Sequence, residues 1–97
     1  MHEVTKVQDS TSSEGIRVIY ANTCSEVCSR QVAVAVKDGI IKEAAFVGGC
    51  AGNTQGVCKL VAGMKVEEAI SRLEGIDCRE KGTSCPDQLA RTLRLFL

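Results

Sequence analysis

The run QVAVAVK (31–37), the dipeptide Asp38-Gly39 and the run IIKEAAFV (40–47) constrain this chain more than any other feature. β-branched residues favour extended backbone. Asp-Gly suits the tight turn whose central residues both need positive φ. Together they predict an antiparallel hairpin. GIRVIYA (15–21) reads as one further strand before it. The segment between, residues 22–29, is polar and carries Cys24 and Cys28, as expected of a loop.

After the hairpin the periodicity changes. Gly48-Gly49 breaks the strand and puts Cys50 in a turn. Residues 53–61 read as a short helix with Val57, Leu60 and Val61 on one face. Val66, Ala69, Ile70 and Leu73 recur at i, i+3, i+4 and i+7, an amphipathic helix ended by Gly75. A polar loop with Cys78 leads to Ser84, and a last helix starts near Pro86 with Leu89, Leu93 and Phe96 inward. Strands followed by helices predict an α+β fold: a three-stranded antiparallel sheet with helices packed on one face. Residues 1–14 are mostly polar and read as a flexible N-terminal tail, leaving 15–97 as a single domain.

Composition excludes several function classes. Twelve basic and twelve acidic residues cancel, so the net charge gives no attraction for nucleic acid or an anionic membrane. One Tyr, two Phe and no Trp leave few surfaces for stacking bases. No run approaches the about 18 apolar residues of a membrane span, and the polar opening lacks a signal-peptide core. A cytoplasmic location is expected, with no nucleic acid and no membrane as partner.

Six cysteines in 97 residues are then the anomaly. Cytosolic thiols stay reduced, so metal binding or thiol chemistry is the expectation rather than disulfides. Cys58 falls within a helix and reads as a small buried hydrophobe. Cys85 opens the last helix, where free N–H groups and the positive end of the helix dipole favour a thiolate. Ser84 is the expected cap, with Asp87 returning a bond to its N–H. The pair Cys24-x3-Cys28 is one residue longer than a common zinc knuckle. His2 is the only histidine and lies in the expected tail, so a mixed Cys/His site within the domain is not expected. Glu67, Glu68, Arg91 and Arg94 read as solvated helix faces. Neither a Ser/His/Asp arrangement nor a phosphate loop is present, and no catalytic residue is assigned.

VCSRQ (27–31), GGCAGNTQG (48–56), LVAGMKVEEAI (60–70), LEGIDC (73–78) and TSCPDQLA (83–90) together resemble the TSCPD domain, in its small stand-alone four-cysteine form. The resemblance covers about residues 15–95. It implies that Cys28, Cys50, Cys78 and Cys85 are the family's metal-binding cysteines, with Cys24 an additional ligand or thiol and Cys58 an extra. The same domain ends some cobalamin-dependent ribonucleotide reductases, so it implies a redox enzyme as partner. A chain of this length cannot hold that enzyme's barrel. More distantly, the order of elements is similar to the NifU-type iron–sulfur scaffold, a NifU/SufE-like fold. There Cys50 and Cys85 match two cluster cysteines and Cys24 or Cys28 a third. Ser84 replaces that family's histidine, and Cys78 has no counterpart. Four thiolates suit a closed site, with zinc or an iron–sulfur cluster as the cofactor. The alternative is a thiol or persulfide carrier that uses Cys85 and Cys50 without a permanent metal. The oligomeric state is not legible.

Overall fold

A computed structural model describes residues 2–25, 27, 29–48, 51–77 and 82–97, with the side chains of 51–53 excepted. Four strands and three helices follow in order: β1 (Thr5–Thr11), β2 (Arg17–Asn22), β3 (Ser29–Lys37), β4 (Ile40–Gly48), α1 (Ala51–Val61), α2 (Val66–Leu73) and α3 (Cys85–Arg94). The sheet is an antiparallel meander in the order β1-β2-β3-β4. The α+β class is as expected. The strand count is not: the sheet has four strands rather than three.

The added strand comes from residues expected to be a loose tail. TKVQDST lacks alternation, and every residue of β1 is exposed. Backbone pairing with β2 holds it, from Thr5 opposite Asn22 to Thr11 opposite Arg17, with a bulge at Val7. Its side chains add ionic ties: Arg17 Nε donates to Asp9 Oδ1 at 2.9 Å, Arg17 Nη2 to Oδ2 at 2.6 Å, and Lys6 Nζ to Oδ2 at 3.2 Å. An edge strand satisfied by hydrogen bonds and charge leaves no hydrophobic period to read.

The β3–β4 hairpin turns at Asp38 (φ 53°) and Gly39 (φ 76°), the two positive values that the Asp-Gly pair was expected to supply. Along β3 every second side chain, Val32, Val34 and Val36, is buried. Register places Ala21 and Phe46 beside Val32, Ile19 and Ala44 beside Val34, and Ile41 beside Val36. The helices cover this face. Val61 of α1, Val66, Ala69 and Ile70 of α2, and Leu89 and Leu93 of α3 join the three valines and Ile41 in one core. Leu60, expected inward, is exposed, because α1 turns only Val57 and Val61 to the core. The α1–α2 connection also ties down β4, since Ile41 N–H donates to the Met64 carbonyl and its own carbonyl accepts from Gly63 N–H. Phe96 closes the far end beneath the Arg17 guanidinium, 5.4 Å from its ring centroid. Among the described residues, no helix is long and apolar enough to cross a membrane.

The Asp9 ties predict a pH signature for β1. The Arg17 hydrogen bonds, aided by Lys6, lower the Asp9 carboxyl to about 2. A lowered folded-state pKa stabilises above the ordinary carboxylate value, and that contribution is lost as pH falls towards 2. Amide exchange in β1, corrected for intrinsic rates, should therefore accelerate relative to β3 as pH drops from 5 to 2. Asp9→Asn should remove that difference.

Candidate functional site

The start of α3 differs from an ordinary amphipathic helix in being buried all round: every residue from Thr83 to Ala90 is buried. Ser84 caps it as expected, its Oγ accepting from Asp87 N–H at 3.1 Å, with Pro86 in the first turn. The Asp87 carboxylate does not complete the expected reciprocal box. It is 2% exposed. Its Oδ1 accepts from Gly75 N–H at 2.8 Å, and its Oδ2 from Thr83 Oγ1 at 2.5 Å and Arg91 Nε at 2.9 Å. Burial alone would push this carboxyl up, but the bonds from Thr83, Gly75 and Arg91 outweigh it and hold the group below its usual range. Arg91 thus turns inward rather than standing on a wet face. Arg94 is solvent-facing as expected and pairs with Glu74.

Gln88, one residue on, is 0% exposed. Its Nε2 donates to Thr83 Oγ1 at 2.9 Å and to the His2 carbonyl at 2.8 Å, while its Oε1 accepts from Cys24 N–H at 2.9 Å. The amino terminus and the β2–β3 loop are therefore both fastened to the start of α3. That loop is closed at its neck, where Thr23 Oγ1 donates to the Ser29 carbonyl at 2.6 Å and Thr23 N–H to the Arg30 carbonyl at 3.0 Å. The His2 ring lies against Gly82, where a Cβ would come within 2.7 Å of Nε2 and φ is +87°. A φ in this range favours glycine, and a side chain there would be strained.

Of the cysteines expected to act, Cys85 is described in full. It is 9% exposed, and its Sγ lies 3.3 Å from Ser29 Oγ at the start of β3. Ser29 in turn pairs across the sheet with Gly48, the last residue of β4. Cys24 is half-buried. Cys28, Cys50 and Cys78 lie outside the described residues. Among the described residues no group of three His, Cys, Asp or Glu side chains could hold a metal ion. Cys58 is half-buried on α1, in a groove of about 940 Å³ that it lines with Lys42, Phe46, Thr54 and Lys59. Burial pushes its thiol up, away from thiolate character. Cys58 was expected to be buried, and it stands half-buried outside the core cluster.

Gln88, Thr83, Ser29 and His2 were not legible as site residues. Thr83 and Gln88 stood inside the TSCPDQLA run with no role read for either, and His2 was assigned to a tail. Asp87 was read for its position in a cap, whereas its main partners come from Gly75, Thr83 and Arg91.

Asp87→Ala would leave buried donors on Thr83 and Gly75 without their acceptor. Each unmet buried group costs about 1–3 kcal/mol. The variant should lose about 2–4 kcal/mol in urea unfolding, with Asp87→Asn losing less. Because the folded carboxyl is lowered, this contribution is present above the unfolded value and lost as pH falls through the folded one. The gap between wild type and Asp87→Ala should accordingly narrow in acid.

No curated protein and no solved structure matches the chain. A family comparison does, over residues 7–97, and the match takes in β1 from Val7 onward as well as the hairpin, the helices and the whole start of α3. The chain belongs to the TSCPD domain family.

Proposed function

We propose that this protein holds a metal centre, zinc or an iron–sulfur cluster, through Cys28, Cys50, Cys78 and Cys85, and serves as an accessory domain to a redox enzyme such as a ribonucleotide reductase. The observation that carries this reading is the convergence of Ser29, Gly48 and Cys85. The Ser29–Cys85 contact and the Ser29–Gly48 pairing bring the end of β4, the start of β3 and the start of α3 to one corner. Ser29 is the chain neighbour of Cys28, and Gly48 stands two residues before Cys50. Gly75, three residues before Cys78, is tied to the same helix through Asp87.

The donor set fits the group. Four thiols supply the soft ligands of a closed tetrahedral zinc or of a cluster. One of them opens a capped helix, where the dipole favours the anionic form. Bound zinc would supply cross-linking and charge neutralisation; a cluster would add electron transfer. The cysteine roles and the reductase partner come from the family resemblance. The NifU/SufE-like likeness belongs to the same reading and is supported by the order of strands and helices. A thiol carrier built on Cys85 and Cys50 is the competing outcome.

Elemental analysis and visible spectra of anaerobically purified protein test this. About one zinc per chain, or charge-transfer absorption from a cluster, is expected. Cys85→Ala should lose most of that metal. Cys58→Ala should keep it and lose about 1 kcal/mol or less of stability. A chelator should lower the melting temperature by several degrees, because the thiolates lose the cation that offsets their repulsion. Full metal content in Cys85→Ala would overturn the proposal. Metal-free wild type with an alkylatable Cys85 would point to the carrier.

A further inference from the structure

Gln88 and Cys85 are three residues apart on α3, so their side chains share one flank of the helix. The Gln88 carboxamide is fully buried and bonded to three segments at once: the Cys24 amide, the His2 carbonyl and the Thr83 hydroxyl. A primary amide has two N–H donors, and both are used here. Rotating it away would strand two donors and an acceptor in a buried place, each at a cost of order 1 kcal/mol or more. The Glu3–Arg91 ion pair at 3.6 Å has its glutamate largely in solvent and adds little.

We propose that Gln88 is a positioning residue that clamps the amino-terminal segment and the Cys24 loop onto the start of α3 and thereby sets access to the Cys85 thiol. Two segments distant in the chain are held at the same helix turn by one side chain. Cys85 itself is almost enclosed, with Ser29 against its sulfur. Releasing the clamp frees both segments from the helix turn that carries Cys85, while the core of Val32, Val34, Leu89 and Leu93 stays packed. The inference rests on the preceding reading only in taking Cys85 as the working thiol.

The test uses full-length, chelator-treated protein and three readouts. These are the rate of Cys85 alkylation by iodoacetamide, followed by mass spectrometry; amide exchange at Cys24; and the ring-proton resonances of His2, the sole histidine. Gln88→Met keeps the length and removes every polar contact. It should speed Cys85 alkylation and Cys24 exchange about tenfold or more, and move the His2 signals towards those of free histidine. Leu93→Val, a core change that does not touch the clamp, provides the comparison for lost stability. Gln88→Glu, measured at pH 8, keeps an oxygen for the Cys24 amide but has no N–H for His2. It should restore protection at Cys24 while the His2 signals stay displaced.

Equal alkylation and Cys24 exchange in Gln88→Met and Leu93→Val would overturn the proposal. If Gln88→Met does not fold, Gln88→Glu decides alone, and unmoved His2 signals overturn it. Since these measurements need no metal, a metal-free wild type would sink the metal-centre reading and leave this one standing. Normal metal loss in Cys85→Ala, with no effect of the Gln88 variants, would do the reverse.

Discussion

The buried polar chain Gln88–Thr83–Asp87 sits where the helices, the sheet loops and the amino terminus come together. Buried amide and carboxylate groups are costly unless bonded, and these two obtain partners from widely separated segments. His2 and Cys24 meet Gln88, while Gly75 and Arg91 meet Asp87. Thr83 Oγ1 joins the two halves, donating to Asp87 and accepting from Gln88. Geometry at the start of α3 is therefore set by directional bonds, whereas the rest of α3 is held by Leu89 and Leu93 in an apolar core. Apolar packing tolerates small slides; a fully bonded carboxamide does not.

That difference bears on Cys85. A metal centre or a working thiol needs its sulfur fixed in place by surroundings that do not shift. Cys85 opens the capped helix and meets Ser29, which belongs to the inner strand β3 and pairs with the end of β4. Strand register places Ser29 against the sulfur, and the cap sets the helix start that carries it. Cys58 illustrates the contrast. It lines an open groove beside β4, and burial disfavours its thiolate.

Legibility followed the kind of force at work. The Asp38-Gly39 hairpin, α2 with its four-residue apolar set, and the inward Leu89 and Leu93 were all readable, because local turn chemistry and hydrophobic period define them. β1 was missed for the opposite reason. It has one apolar residue, Val7, which is exposed at a bulge, and it is held by pairing to β2 and by Asp9 bonding Arg17. Leu60 looked like part of an apolar face, but α1 turns only Val57 and Val61 to the core and leaves it in solvent.

By itself, the sequence determined the α+β order, the hairpin, the Ser84 cap, the placing of Cys85 at a helix start and the family, because each depends on neighbours within a few residues or on a run of motifs. Only the tertiary structure decided that the polar amino terminus becomes a fourth strand. Likewise it decided that Arg91 turns inward to Asp87, and that Gln88 binds residues 64 and 86 positions away. Hydrogen bonds between distant segments leave no period in a sequence, since any polar side chain can serve once the fold has brought a partner to it.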